Sequence, residues 1–172
     1  MEVEYVEKRR AFEKDGLTFA VFSCRLPIPD GTTHGAQKIA GLYEKLAARL
    51  CDEVEKKLFP AALAAYEKNE DPRRRFTLRP LTLELSGEVF LLDGKVFSVM
   101  RRIRYTAGKT RRELCFGETF SLRDGALLSP RALTRADKKL RKEARRARGA
   151  ALRKGSISFF YPDGRRRDFP YP

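Results

Sequence analysis

The strongest constraint on this chain is a change of hydrophobic period. From Thr33 to Asn69 the pattern is helical, and Ile39, Leu42, Tyr43, Leu46, Leu50, Val54 and Leu58 recur at steps of three and four. Residues so spaced share one helix face. On both sides of that stretch the period drops to two and the runs end in turn dipeptides. Leu17–Leu26 is rich in β-formers and lies between Asp15-Gly16 and Pro27-Ile28-Pro29-Asp30-Gly31. One long amphipathic helix set among alternating strands requires a sheet face for the helix to cover, which is the α+β arrangement. The expected fold is an antiparallel sheet of hairpins, with one long helix and a second, basic helix packed on it.

Local signals refine this outline. Thr33 is a plausible cap for the long helix. Pro60 lacks a backbone donor, so the helix should kink or restart there. The Ala-rich stretch Ala61–Tyr66 is expected to be helical again and to end before Asp71-Pro72. From Arg75 to Leu128 the spacing predicts a meander of strands that starts at Phe76-Thr77-Leu78, with Pro80 marking an edge or a bulge. Leu81, Leu83 and Leu85 alternate with polar residues up to Asp93-Gly94, a strong hairpin signal. Phe97, Val99, Ile103 and Tyr105 share one face of the return strand, where Arg101 interrupts them near an expected open end. Strands 96–105 and 113–122 should be neighbours. Ser129-Pro130 supplies a capping hydroxyl followed by proline, so a helix is expected from Arg131 to about Arg148 or Leu152, closed by Lys154-Gly155. It would pack through a thin stripe of Leu133, Ala136, Leu140, Ala144 and Ala147. Ile157–Tyr161 and Phe169–Tyr171 are extended, with a turn at Pro162-Asp163-Gly164.

At 172 residues the chain is expected to form a single domain. It is 42% hydrophobic and 35% charged, enough apolar content to exclude disorder as the main state. No apolar run reaches the roughly 18 residues of a membrane helix. Cys24, Cys51 and Cys115 are odd in number and far apart, which excludes a disulfide scaffold and a zinc knuckle. They are expected to be buried free thiols. The N-terminus lacks the positive start and apolar stretch of a secretory leader. A cytoplasmic location is therefore expected if the chain is complete as shown.

The charge is concentrated. Between Arg131 and Lys154 stand eleven cationic residues against Asp137 and Glu143, a net +9 of the chain's +14. On a helix this segment admits three readings. It is a polyanion or nucleic-acid surface, carried by Lys138, Lys139, Arg141, Lys142, Arg145, Arg146 and Arg148. It is a membrane-surface helix, against which stands an apolar stripe that is mostly Ala. Or it is a solvated face that packs through Leu133 and Leu140 and leaves its charges wet. Lys138, Lys142, Arg145 and Arg146 should lie outward in any of them.

Catalytic patterns are sparse. His34 is the only histidine, in a Gly31-Thr32-Thr33-His34-Gly35 segment. A catalytic role would need a nucleophile such as Ser23 or Cys24 and an orienting carboxylate beside it. No phosphate-binding glycine motif occurs. Asp52 and Glu53 are adjacent on a helix and diverge, a poor acid/base pair. No cofactor or metal is expected, and the chain reads as non-enzymatic.

One resemblance spans about residues 15–172. Phe22-Ser23-Cys24-Arg25-Leu26-Pro27-Ile28-Pro29 followed by a long helix resembles the opening of the RsiV-like domain. That domain is the extracytoplasmic part of a lysozyme-sensing anti-sigma factor, and also an accessory domain of PdaC-type peptidoglycan deacetylases. Val96–Thr106 is similar to its hairpin arm. Gly117–Ser129, with Thr119-Phe120-Ser121-Leu122 and Gly125, is similar to the strand that leads into its second helix. Phe159-Phe160-Tyr161 and Phe169-Pro170-Tyr171 resemble its closing strands. Where the family often carries a Gly-Gly-Ala-His type turn, this chain has Thr106-Ala107-Gly108-Lys109-Thr110. The resemblance implies an RsiV-like α+β domain over 1–172 that acts by binding another protein, and a family that is usually extracytoplasmic. The alternatives are polyanion binding through segment 131–154, or a hydrolase related to the deacetylase chains, in which the chemistry belongs to a separate domain.

Overall fold

The computed structural model describes residues 2–31, 33–68, 78–135 and 137–171. It is α+β, as the change of period requires. Strands β1 (Val3–Lys14) and β2 (Leu17–Pro29) form a hairpin. Its two turn residues, Asp15 at φ 51° and Gly16 at φ 74°, both take left-handed backbone, the geometry that matches strand twist. Helix α1 (His34–Glu53) follows, with Thr33 Oγ1 accepting from the Ala36 amide at 3.2 Å. It passes through one π-helical stretch, Val54–Leu58, into α2 (Phe59–Glu67). The change in hydrogen-bond pattern falls just before Pro60, whose missing donor disrupts a regular ladder. Strands β3 (Leu81–Leu92), β4 (Val96–Ala107) and β5 (Thr110–Ser121) then complete a five-stranded sheet in the order β1-β2-β3-β4-β5. Strands 96–105 and 113–122 are neighbours, as expected.

The sheet is not antiparallel throughout. β2 and β3 run parallel, Ala20 opposite Leu81 through Arg25 opposite Ser86. Hairpin turns reverse the chain at the other junctions, but the helical segment between β2 and β3 carries it back across the sheet, so β3 starts from the same end as β2. The parallel ladder stops where Pro27, without an N–H, packs its ring against Gly87. Pro80 precedes β3, an interior strand, and so marks neither an edge nor a bulge. The register shift in β3 lies between Val89 and Leu91. Phe76 and Thr77 lie outside the described residues.

The helix lies across one sheet face. Ile39, Tyr43, Leu50 and Val54 pack on Phe22, Leu26, Leu85, Phe97, Val99 and Phe120. Each such side chain contributes about 1.5–3 kcal/mol on burial. Leu42, expected in this stripe, is 49% exposed, and Leu46 is only partly buried. The contact line runs instead through Ala36, Ile39, Tyr43, Ala47, Leu50 and Cys51, whose two alanines let the helix approach closely. Cys24 and Cys51 are buried and free, while Cys115 is half-buried and free.

Arg101 does not sit at an open end. Its side chain is 11% exposed and its guanidinium donates to Glu118 at 2.7 and 2.9 Å. Tyr43 donates its hydroxyl to the same carboxylate at 2.9 Å. The register explains the pair, because Glu118 opposes Val99 and lies diagonal to Arg101 on the same face.

The opposite face carries a second, three-stranded antiparallel sheet of β6 (Gly149–Arg153), β7 (Ser156–Phe160) and β8 (Arg166–Pro170). The long basic helix is therefore absent. The segment forms α3 (Pro130–Leu133), α4 (Leu140–Ala144) and then β6. Ser129 caps α3, but Thr134 turns its hydroxyl back onto the Pro130 carbonyl at 3.0 Å and competes with helix continuation. Asp137 Oδ1 accepts from the Lys139 and Leu140 amides and starts a new turn. Ala150, Ala151 and Leu152 are all buried, on both faces of β6, and a short apolar run of this kind has no period to distinguish strand from helix. Ala136 lies outside the described residues.

Burial raises the Tyr43 hydroxyl well above its ordinary pKa, with the Glu118 charge adding to the effect. Stability tied to the protonated phenol is complete below the ordinary tyrosine value of about 10 and is lost as pH rises beyond it. The urea midpoint should therefore fall above about pH 10. Tyr43→Phe should lower stability at pH 7 by about 1–3 kcal/mol, because Glu118 loses a donor, and should flatten the alkaline fall. Equal alkaline slopes in the two proteins would contradict this assignment.

Candidate binding site

β5 is an edge strand, and two halves of its outer edge differ. Toward its end, Thr119 O accepts from Leu128 N at 2.8 Å and Ser121 N donates to Ala126 O at 2.9 Å. Antiparallel ladders alternate, so odd-numbered residues turn their backbone groups outward. Cys115 and Glu113 therefore present N–H and C=O groups to the same side, where no strand of the described residues pairs with them, whereas Gly117 is buried and its carbonyl lies against Gly149. The other edge of the sheet, β1, is dense in charge at Glu7, Lys8, Arg9 and Arg10, a device that discourages added strands. β5 carries Arg111, Arg112 and Glu113 at its start, and then Leu114, Cys115, Phe116 and Gly117.

Beside this apolar stretch runs a cavity of about 260 Å³. Leu114, Phe116 and Gly117 form one wall, Leu127, Leu128 and Pro130 a second, and Phe160, Tyr161 and Pro162 a third. Leu114 is 55% and Leu127 59% exposed, high values for side chains of this kind. Arg148 lies at the rim and Glu118 reaches the inner wall. The Arg101 guanidinium lies 4.4 Å from the Phe116 ring centroid and fixes that ring from behind. Two glycines let β6 pack against β5 beside it. A Cβ on Gly117 would come within 2.9 Å of the Ala150 carbonyl carbon and closer still to the Phe160 ring, and one on Gly149 would meet the Gly117 carbonyl. Close approach of β6 to β5 thus requires both residues. An extended apolar segment fits this arrangement chemically: its backbone would pair with the free edge and its side chains would enter the groove.

The seven residues singled out as a polyanion surface are all exposed but do not form one stripe. Lys138 and Lys139 lie in the turn before α4, Arg141 and Lys142 lie on it, and Arg145 and Arg146 follow it. Arg141 and Arg145 join Arg131 and Arg135 around one hollow. Arg146 faces a different one with Arg165 and Arg167, and Arg148 borders the apolar groove. Only a continuous helix would have aligned them. His34 is exposed at the first turn of α1. Among the described residues, no three His, Cys, Asp or Glu side chains gather in a way that could hold a metal ion, and no helix is long and apolar enough to cross a membrane. The groove residues were not singled out from sequence. Their one signal was the run Leu114-Cys115-Phe116 on the last strand of a meander, which has no following hairpin partner.

No family model matches the chain, and no curated protein matches its sequence. Solved structures resemble its fold. One is a DUF3298 family protein, a domain of unknown function, from Pseudomonas aeruginosa, with a TM-score of 0.54 and 14% identity over 99% of this chain and 90% of that one. Another is a DUF3298 member from Bacteroides fragilis, with a TM-score of 0.62 and 11% identity over the same shares. Likeness at these identities is likeness of fold.

Leu114 and Leu127 line the groove without filling the core. Leu114→Glu and Leu127→Glu should each change unfolding free energy by no more than about 0.5 kcal/mol, as surface substitutions do. A loss of about 2 kcal/mol or more in urea titration would assign the side chain to the core instead.

Proposed function

We propose that this domain acts by binding rather than by catalysis, and that it takes an extended segment of another protein along the free edge of β5. The observation that carries the reading is the strand-edge backbone at Glu113 and Cys115, which no strand of the described residues pairs, together with the apolar groove next to it. Edge backbone gives affinity without regard to sequence, and a groove that receives alternate side chains adds selectivity. The rim contributes Arg148, and the chain as a whole carries +14, so the favoured segment is acidic at its flanks with apolar residues at alternate positions. The RsiV-like resemblance of the sequence motifs supports the same reading, since it implies a protein-binding habit. The similar DUF3298 structures support it only as far as a common fold.

Random-peptide display against the full chain tests this. Enriched peptides should alternate apolar residues and carry acidic flanks. Their binding, measured by fluorescence anisotropy, should weaken at least about tenfold with Leu114→Glu or Leu127→Glu, a change of about 1.4 kcal/mol. It should also be lost on N-methylation of alternate peptide amides, and the peptide should be recovered intact after incubation. Enriched peptides indifferent to both leucine substitutions would overturn the groove assignment, and cleaved peptides would overturn the non-catalytic reading.

A further inference from the structure

Arg131, Arg135, Arg141 and Arg145 line a hollow of about 400 Å³ on the surface of the 130–148 segment. They come from α3, the turn after it, α4 and the turn after that, so chain reversal, not helical spacing, brings them together. None of the four has an ion-pair partner among the described residues, although arginines elsewhere in the chain pair repeatedly, as at Glu55, Glu84, Glu113 and Glu118. The two acidic residues of the segment are committed elsewhere. Asp137 accepts from the Lys139 and Leu140 amides at the start of α4, and Glu143 accepts the Tyr161 hydroxyl. Arg141 is itself held by donating to the Arg135 carbonyl. Four guanidiniums gathered without a counter-charge repel one another, and an anion seated among them would relieve that repulsion.

We infer that this hollow is a binding site for a compact, multiply charged phosphate anion of the pyrophosphate or polyphosphate type. Guanidinium forks match phosphate oxygens two at a time, and arginines converging from several directions suit a small anion with charge on several sides. A nucleic-acid duplex needs cations strung along its backbone instead. The break between α3 and α4 denies it that stripe, because Arg146 and Arg148 border other cavities. This site is separate from the β5 groove, and its test does not depend on that proposal.

Isothermal titration of the full chain with inorganic tripolyphosphate, pyrophosphate and monophosphate at about 150 mM salt provides the measurement. Tripolyphosphate should bind more tightly than monophosphate. Arg131→Gln and Arg145→Gln, on separate elements, should each weaken it about tenfold, as expected when one charge-assisted hydrogen bond is lost. Lys139→Gln and Arg146→Gln should leave it unchanged, and circular dichroism checks that each variant is folded. The inference is overturned if tripolyphosphate heat is absent at millimolar concentration, or if the Lys139 and Arg146 variants weaken binding as much as the others. It is also overturned if a duplex or single-stranded oligonucleotide binds more tightly than tripolyphosphate, which would mark an extended surface.

Discussion

The arrangement of this molecule depends on two hydroxyls buried between its sheets. Ser98 and Thr119, on neighbouring strands β4 and β5, are both fully buried and lie 2.9 Å apart. Thr119 donates to the Ala150 carbonyl at 3.0 Å, and Ser98 Oγ accepts from the Leu152 amide at 2.7 Å. With the Thr119 proton committed, the Ser98 proton is free for Thr119 Oγ1. The result is a relay from a β6 N–H through two side chains to a β6 C=O. Leaving either hydroxyl unpaired there costs about 1–3 kcal/mol. The same contacts satisfy the edge of β6 that does not face β7, so the second sheet has one satisfactory position on the first.

Much of the rest follows from that docking. β6 must come close to β5, which only Gly117 and Gly149 allow. The chain leaving β5 must then return to β6 within a short span, and it does so in two brief helical turns. The stretch that enters the first of them, Leu127 to Pro130, walls the groove beside β5 with Phe160 of the second sheet and Tyr161 just after it. The two turns also gather four arginines that a straight helix would have distributed along its length. The groove and the arginine hollow are thus both products of how the second sheet is seated.

The two faces of β4 and β5 treat polarity differently. On the side of the second sheet, neutral hydroxyls close a relay. On the helix side, Arg101, Glu118 and Tyr43 form an ion pair with an added phenol donor. A buried ion pair is weak support for stability in itself, because desolvation offsets its attraction, yet removal of one partner is costly. Its effect here is positional. It holds Phe116 at the base of the groove and Tyr43 at the centre of the helix contact.

Where the signal was local, the residues alone were sufficient. The helical period from Ile39 to Leu58, the Thr33 and Ser129 caps, the Asp15-Gly16 turn and the alternation in β3–β5 all act between residues close in the chain, and each appears in the structure. Tertiary contacts decided the rest. The parallel pairing of β2 with β3 depends on where a helix of 34 residues sets the chain down. Arg101 faces the interior because of a partner on another strand, Glu118, which Tyr43 also bonds, and Leu42 faces solvent because the helix contact runs through Ile39, Tyr43 and Ala47. Residues 149–153 form a strand paired with β7, and Ser98 and Thr119, on strands distant in the chain, satisfy backbone groups on its other edge. Periodicity and turn chemistry are local energies and can be read along a chain, whereas pairing direction, burial of a charge and the walls of a groove are settled only between segments that meet after folding.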